Sequence, residues 1–453
     1  MSRFGKDAVA LRACARQIPF SALQRSISPR IVTQTLKQCR RRGRPCTRMS
    51  DLMTVLFVIC MGLCRGDCYR HVCRWMLPAW GRHKTPGRST LCEARQRLGI
   101  PPLIRLALRV IELLATPQTP GAFYQGYRLM AVDAFLLDLP DTPENDRAFG
   151  RPGNDKSPGA FPQAQVLGLL ECGTHVCWRW QIKPCNVAET ILAAPLLRHL
   201  QAGMLLLWDR GFASYGLVQQ VVDRQAHLLA RWKQNRILRP LYHLPDGSYV
   251  ARIYANDSDR RHNRHGIAVR VIEYTLADGS GKPQVHRLLT TLLDPQAHPA
   301  KRLIELYHCR WEEELAIDEL KTHQLEALPL RSQTPAGVVQ EIYGLLLGHF
   351  VVRRVMVEAA QKAGVAPLRL SFTSALRILR LRLSQAPRQR RQRSQWCRRI
   401  VQEIAEELLP PRRRRINPRV IKRQQSQWPR KRPHHRNPPQ PITPFIDSVV
   451  IIH

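Results

Sequence analysis

The stretch MLLLWDRGF, residues 204–212, decides the fold class of this chain. An unbroken apolar run of this length is typical of a buried strand, and Asp209 follows where the strand would end, just before a glycine turn. Residues 128–133, RLMAVD, repeat the pattern and end in Asp133. Alternating strand and helix signals around both runs predict an α/β domain. Because ligands gather at the ends of sheet strands, the two carboxylates are expected to share one site.

A third carboxylate lies on a segment that is predicted to form a single helix. Tyr307, Arg310, Glu314 and Lys321 follow one another at intervals of three, four and seven positions. On a helix these side chains fall within an arc of roughly 60°. The shared face offers a carboxylate for a metal ion, two cations for phosphate and a phenol. Taken alone, the pattern is also typical of a solvated helix surface with weak ion pairs.

Three carboxylates converging on one point predict a metal site. Asp133, Asp209 and Glu314 would repel one another unless a cation joined them. Hard oxygen ligands favour Mg²⁺, with Mn²⁺ as a possible substitute. Two such ions can activate a water or a sugar hydroxyl for in-line phosphoryl transfer. The expected chemistry is that of a nuclease or a transesterase.

The net charge identifies the class of partner. The 453-residue chain carries a formal charge of +37, and nucleic acid is the expected partner, with an anionic membrane surface as the rival. The longest apolar run, residues 52–64, is too short to span a bilayer and predicts a buried helix, so no membrane partner is expected. Thirteen cysteines without a secretory signal pattern predict reduced thiols in a cytoplasm.

Four cysteines near the apolar run could suggest a zinc site. Cys60, Cys64 and Cys68 recur on one helix face, however, and Cys73 follows after His71. Zinc sites normally use close cysteine pairs on a turn. The spacing therefore favours small buried side chains in a core.

Composition divides the chain into three predicted domains. Residues 1–120 are expected to form a helical N-terminal DNA-binding domain, residues 121–385 an α/β domain with a β-rich insertion at about 234–299, and residues 386–453 a basic, largely disordered tail. Within the tail a short helix is allowed at residues 396–409.

Two basic features of the N-terminal domain are candidate DNA contacts. Residues 39–44, CRRRGR, predict a loop that grips phosphates. Residues 89–99 predict a short helix with a serine N-cap and a glycine stop, which shows Arg95 and Arg97 to a major groove. A solvated basic helix is the alternative.

The acidic motifs together resemble those of a bacterial insertion-sequence transposase of the DDE type. The matching subgroup is the insertion sequence 4 family, known by its YREK signature, which corresponds here to Tyr307, Arg310, Glu314 and Lys321. Residues 131–134, AVDA, and 208–212, WDRGF, are similar to the two Asp motifs of the family. The resemblance runs from about residue 18 to residue 383.

The resemblance implies an RNase H-like catalytic domain that is interrupted by the β-rich insertion. It implies hydrolysis at the element end, hairpin formation, reopening and strand transfer into target DNA, by a homodimer that holds two terminal inverted repeats. The enzyme would act in the bacterial cytoplasm, in association with the nucleoid. By position, the implied metal ligands are Asp133, Asp209 and Glu314. The implied phosphate contacts are Tyr307, Arg310 and Lys321, with Arg210 as an additional one.

Two features limit the resemblance, and two other functions stay open. Ala134 and Phe135 follow Asp133, where the family often has a small residue and a hydroxyl. An aromatic residue that holds a flipped base would be Trp232 or Tyr242, although core packing is the favoured role of Trp232. A DNA-binding protein without catalysis and a structure-selective nuclease of the same fold are the alternatives.

Overall fold

The structure is a computed structural model that describes residues 27–39, 49–76, 85–154, 157–234, 236–276, 285–308, 310–385, 390–410 and 445–452. The chain folds into two compact units. The first unit contains the described residues up to His199 and those from Glu312 to Leu409. The second contains those from Leu200 to Trp311 and from Pro410 onward.

Helices and strands alternate along much of the chain. The helices are α1 Pro29–Gln38, α2 Asp51–Leu63, α3 Tyr69–Met76, α4 Arg88–Leu98, α5 Pro101–Val110, α6 Pro143–Phe149, α7 Glu189–Leu197, α8 Tyr215–Asp223, α9 Asp257–Arg261, α10 Ala300–His308, α11 Trp311–Asp318, α12 Pro335–Ala363, α13 Phe372–Ser384 and α14 Arg390–Glu406. The strands are β1 Phe123–Tyr124, β2 Tyr127–Asp138, β3 Gly153–Asn154, β4 Ser157–Pro158, β5 Gln163–Glu171, β6 Val176–Pro184, β7 Met204–Trp208, β8 His227–Arg231, β9 Pro240–His243, β10 Tyr249–Ile253, β11 Ile267–Leu276, β12 Val285–Thr290 and β13 Val449–Ile451.

The first unit combines helices with an antiparallel sheet. Strand β5 pairs with β2 on one side and with β6 on the other, and β1 pairs with β2 as a hairpin. Strand β5 is buried almost along its whole length, as expected of a central strand. Together with the helices of this unit, these strands agree with the predicted α/β class.

Helix α12 forms the core of the first unit. The Thr334 side chain accepts from the Gly337 N–H at its start, and Gly364 ends it in the left-handed conformation with φ 67°. Helices α2, α5, α13 and α14 pack against it. By length and composition α12 could cross a membrane, but 78% of its most apolar window is buried inside the structure. It has the burial of a core helix.

Helices α2 and α12 approach each other so closely that glycine is required at the crossing. A Cβ on Gly62 would overlap the backbone of Gly344, and a Cβ on Gly344 would overlap the carbonyl of Val58. Every residue of α2 after Asp51 is buried, which confirms the helix predicted from the apolar run. Backbone contact of this kind leaves no room for a side chain.

We expect Gly62→Ala and Gly344→Ala to destabilise the protein by about 1–3 kcal/mol or more, because an added methyl group overpacks a close helix crossing. Urea unfolding measures the change. Gly216→Ala in α8 is the control, because a Cβ there meets nothing within 4 Å in the described structure. It should be neutral or stabilise by up to about 1 kcal/mol. Equal effects at all three positions would contradict the crossing argument.

The second unit is built on a mixed sheet. Strands β7 and β8 are parallel, and β12, β11, β10 and β9 follow β8 in antiparallel order. Strands β9–β12 occupy the stretch that the sequence predicts to be β-rich. The run MLLLW forms β7, all of it buried, and a 3₁₀ turn at Arg210–Phe212 leads into α8, as predicted.

The predicted recognition helix differs from the structure in its cap and its arginines. Gly87, not Ser89, is the N-cap of α4, whereas Gly99 ends it with φ 66° as predicted. Arg95 is buried and donates to Gln340 Oε1 at 3.2 Å and to the Tyr69 hydroxyl at 2.7 Å, so its prediction as an exposed base reader is wrong.

The other basic features of the N-terminal domain are only partly described. Arg97 donates to the Met49 carbonyl at 2.6 Å and lies 3.7 Å from Asp51, which ties it to the start of α2. Of the predicted phosphate loop, residues 40–44 lie outside the described residues.

The cysteine prediction holds for three of the four positions. Cys60, Cys64 and Cys73 are buried, whereas Cys68 is exposed. Burial raises the pKa of the Cys64 thiol to about 12 and that of the Cys73 thiol to about 11. These thiols are therefore protonated near neutral pH and behave as small apolar side chains.

We expect iodoacetamide at pH 8 to modify Cys68 long before Cys60 and Cys64, because alkylation requires an accessible thiolate. Peptide mass spectrometry of the native protein over time measures the order. Unfolding in urea should make the three sites react alike. Early modification of Cys64 in the folded protein would contradict the buried assignment.

The tail predicted to be largely disordered carries regular structure in two places. Helix α14 buries Cys397, Ile400 and Ile404 and packs against α12, extending the short helix allowed there. Strand β13 pairs with β11, with Val450 opposite Thr275. The helix agrees with the one allowed at residues 396–409, whereas β13 was not predicted. Residues 411–444 lie outside the described residues.

Candidate active site

Asp133 lies in the middle of β2, not at its end. The strand continues to Asp138, so the prediction of a strand that ends in Asp133 is wrong. The carboxylate is half-buried, and its Oδ1 accepts from the N–H of Ala134 at 2.8 Å. Its cross-strand neighbour on β5 is Gly168, which places no side chain beside it. The backbone thus provides one hydrogen bond to this carboxylate, although no hydroxyl-bearing residue follows Asp133 directly.

Asp209 directly follows β7, as predicted. It is half-buried, and its Oδ1 is a buried atom with no hydrogen-bond partner among the described residues. A buried carboxylate oxygen without a partner is costly, so such an atom needs an explanation. A cation that binds this oxygen would supply one, because carboxylate oxygens are ligands of Mg²⁺.

Tyr307 supports the end of β7 from helix α10. The Tyr307 side chain is buried, and its hydroxyl donates to the carbonyl of Trp208 at 3.2 Å. Trp208 is fully buried and immediately precedes Asp209. The hydrogen bond therefore holds the peptide that carries the carboxylate, a role that the sequence did not indicate.

The segment that carries Glu314 is not the single helix that was predicted. Helix α10 ends at His308, α11 begins at Trp311, and a π-helical turn follows at Glu319–Gln324. Arg310 lies in the turn between the two α-helices, where its N–H donates to the carbonyl of Tyr307 at 3.0 Å. The predicted arc assumed one continuous α-helix and does not apply.

The four signature residues consequently occupy three different elements. Tyr307 lies on α10, and the guanidinium of Arg310 lies 5.8 Å from the centre of its ring. Glu314 is an exposed residue of α11, and Lys321 is a half-buried residue of the π-helical turn. Tyr307 and Arg310 belong to the second unit, whereas Glu314 and Lys321 belong to the first.

The three predicted metal ligands are likewise distributed over both units. Asp133 and Glu314 belong to the first unit and Asp209 to the second. Among the described residues, no three His, Cys, Asp or Glu side chains form a ready-made metal cluster. The residue-level support for a metal is the partnerless oxygen of Asp209, and the three-ligand site stays a prediction.

A basic pocket of about 330 Å³ lies within the second unit. Arg210, Arg231, Lys233 and Arg287 line it, and none of the described lining residues is acidic. Arg287 is 2.5 Å from Glu273 and donates to three backbone carbonyls. These contacts hold its side chain in the wall of the pocket. Arg210 and Lys233 are exposed cations at the pocket. The arrangement is suited to a phosphate group.

Trp232 forms part of the same pocket. It is 7% exposed, and its indole Nε1 is buried without a partner among the described residues. The prediction that Trp232 is a packing residue is confirmed, whereas Tyr242 on β9 is 54% exposed. An indole N–H is a donor only, so it suits an anionic or carbonyl acceptor.

Comparison with known proteins identifies the family. The transposase DDE domain model matches residues 124–351, just over half of the chain, and the insertion element 4 transposase N-terminal model matches residues 17–107. The chain belongs to the insertion sequence 4 family of DDE transposases. As a transposase of this family it is a DNA-cleaving enzyme, and the DDE match spans Asp133, Asp209 and Glu314.

Two Escherichia coli transposases are similar in sequence. The transposase InsG for insertion sequence element IS4 is 27% identical over 419 residues, which cover 91% of this chain and 94% of that protein. The putative transposase InsZ is 26% identical over 150 residues, which cover 32% of this chain and 50% of that protein.

One similar structure is a cryo-EM structure of the piggyBac transposase synaptic complex with hairpin DNA. The alignment covers 85% of each chain with 11% identity and a TM-score of 0.40. A TM-score at this level does not establish a shared fold.

Several residues of this DDE transposase were missed by sequence reasoning. The cluster Arg231-Trp232-Lys233 was a visible signal for the basic pocket, because cations flank an aromatic residue. Arg287 gave no signal, since it joins the pocket only through the pairing of β12 with β8.

We expect Lys233→Ala to weaken DNA binding about equally for all sequences and to lower the slope of log affinity against log salt by about 1, because one phosphate contact is lost. Fluorescence anisotropy across a salt series measures this slope. Arg260→Ala is the control, because Arg260 is an exposed arginine of α9 in the same unit and pairs with Asp257 at 3.1 Å. A slope that falls equally in both variants would show a diffuse charge effect rather than a pocket.

Proposed function

We propose that this transposase catalyses metal-dependent cut-and-paste transposition: hydrolysis at the element ends, hairpin formation and strand transfer. The supporting observation is the buried Oδ1 of Asp209, which has no hydrogen-bond partner among the described residues and lies next in sequence to the exposed cation Arg210. This pairing suits a metal ion next to a phosphate. The catalytic domain is proposed to be RNase H-like, with the β-rich segment of the second unit as its insertion and residues 1–120 as a helical DNA-binding domain.

Asp133, Asp209 and Glu314 are proposed to hold the metal ions. Bound Mg²⁺, or Mn²⁺ in its place, would activate the attacking oxygen and stabilise the leaving oxygen of an in-line displacement. Asp209 suits this role because nothing in the described structure satisfies its buried oxygen. Asp133 suits it because the backbone N–H of Ala134 donates to Oδ1 and so helps to fix the orientation of the carboxylate.

The cationic residues are proposed to orient the scissile phosphate. Arg310, Lys321 and Arg210 would donate charge-assisted hydrogen bonds to phosphate oxygens, which aligns the reacting group. Tyr307 remains a proposed phosphate contact, although its hydroxyl is engaged with the carbonyl of Trp208 here. The basic pocket would hold a further phosphate of the same DNA.

The proposed partners are terminal inverted repeats and target DNA, held by a homodimer that joins two element ends. The excess of 71 Lys and Arg over 34 Asp and Glu supports strong binding to a polyanion. The proposed location is the bacterial cytoplasm, at the nucleoid, with no membrane partner. A basic tail after residue 386 would add non-specific affinity.

The decisive experiment incubates the protein with a cognate terminal inverted repeat and Mg²⁺. We expect a cut at the element end, and Asp209→Ala should abolish it while preserving DNA binding, because a metal ligand is lost. Asp133→Asn should do the same. Asp138→Asn is the matched control on the same strand, where the carboxylate only accepts from Gln163 at 2.7 Å. Gel electrophoresis and a binding assay measure the two properties separately.

The same experiment separates the alternatives. A DNA-binding protein without catalysis would make no cut in Mg²⁺ or Mn²⁺, and Asp209→Ala would change nothing measurable. A structure-selective nuclease would cut branched DNA without requiring a specific end. Either result would contradict the proposed transposition.

A further inference from the structure

The π-helical turn between Glu314 and the core has an unusual backbone that other elements hold in place. The Leu325 N–H donates to the Leu320 carbonyl at 3.0 Å, five residues back. Glu326 and Ala327 then adopt φ of 57° and 53°, a region that residues other than glycine rarely enter. Such backbone persists only where surrounding contacts over-determine it, and π-turns recur at functional sites.

Glu319, the first residue of the turn, is held by a buried cluster in the first unit. His175 Nδ1 lies 2.8 Å from its Oε1, and His349 Nε2 lies 3.1 Å from its Oε2. Arg353 Nε donates to the same Oε2 at 2.8 Å, and its Nη2 donates to Oε1. All four side chains are at least nine-tenths buried. The cluster joins the turn to α12 and to the loop between β5 and β6.

The far end of the turn is held as well. Gln324 is fully buried, and its Nε2 donates to the Gly62 carbonyl at 2.9 Å and to the Leu345 carbonyl at 3.0 Å. Glu326 pairs with Arg380 of α13 at 2.8 Å. Polar contacts thus hold both ends of the six-residue turn.

A contribution to stability does not by itself explain why an ionised carboxylate is buried at Glu319. Burial alone would raise the pKa of its carboxyl, but Arg353 and His175 hold that pKa well below the usual range, so the group is ionised. Apolar side chains of similar volume often replace a buried ion pair without loss of stability. Displacing one partner of a buried ion pair, however, is strongly unfavourable, because it leaves the other charge uncompensated.

We propose that Glu319 and its cluster of His175, His349 and Arg353 are a positioning device, which fixes the π-helical turn and thereby the directions of Glu314 and Lys321. The proposal rests on the proposed function, in which Glu314 holds a metal and Lys321 a phosphate. Glu319 is not itself a metal ligand, because its two oxygens are occupied by the cluster. It acts through Glu314, five residues earlier on the chain.

The test compares Glu319→Gln, which keeps the shape and removes the charge, with the wild-type protein. At saturating DNA and Mg²⁺ the rate of end cleavage should fall about 10²-fold, as for a reacting group misplaced by about 1 Å. DNA affinity should fall by no more than the loss of the single Lys321 phosphate contact would cause. Hydrogen exchange followed by mass spectrometry should show faster exchange at residues 319–327, while α2 and the rest of α12 stay protected.

Arg353 and Arg354, two neighbouring arginines of α12, allow a milder substitution to be compared with a matched control. Arg353→Lys keeps the buried charge but loses the two-pronged contact, so it should lower the cleavage rate less and in the same direction. Arg354→Lys is the control, because Arg354 is exposed and pairs at 2.8 Å with exposed Glu112. It should leave both cleavage and exchange as in the wild type.

Two outcomes would overturn the proposal. A purely structural role predicts loss of protection throughout the first unit, with cleavage falling only in proportion to the folded fraction. Unchanged exchange at residues 319–327 would show that the cluster does not hold the turn. If the wild-type protein makes no cut, the proposed function fails, and the exchange of residues 319–327 alone decides whether the cluster fixes the turn.

Discussion

The burial of α12 is the constraint on which the first unit depends. A helix of 29 residues with few exposed positions must be covered on almost every side, and α2, α5, α13 and α14 provide the cover. The closest of these contacts needs glycine at Gly62 and Gly344, since the two backbones touch. Burial also encloses Arg353 and His349, whose polar atoms must then find partners inside the protein.

Those partners connect the core to the predicted metal site. Arg353 and His349 meet Glu319 in the π-helical turn, and Gln324 at its other end bonds to backbone carbonyls of α2 and α12. The turn that follows Glu314 is therefore attached to α12, the long buried helix of the same unit. In the second unit the hydrogen bond from Tyr307 to Trp208 has a comparable effect on Asp209. In each unit a long-range contact thus holds a segment close in sequence to a proposed metal ligand.

Local patterns predicted much of this structure because they depend only on neighbours in sequence. The apolar run before Asp209 forms β7, and the run at residues 52–64 forms α2. Failures occurred where a distant partner decided the outcome. The segment around Arg310 was predicted as one helix, whereas it contains a break and a π-helical turn whose first residue, Glu319, contacts Arg353 from 34 positions away. Arg95 was predicted to contact DNA bases. In the structure it is buried and donates a hydrogen bond to Gln340, 245 positions away.

The sequence by itself determined the class of the protein: an α/β chain with two acidic strand motifs, a YREK segment and a charge that demands a polyanion. Such signals are carried by periodicity, spacing and charge, which need no coordinates. Only the tertiary structure decided which cations are exposed and which are buried. It also decided that Asp209 has a buried oxygen with no hydrogen-bond partner in the described part of the chain, whereas both oxygens of Glu319 are hydrogen-bonded. The sequence shows that both side chains are carboxylates but not what each can bind, because burial and partners determine that.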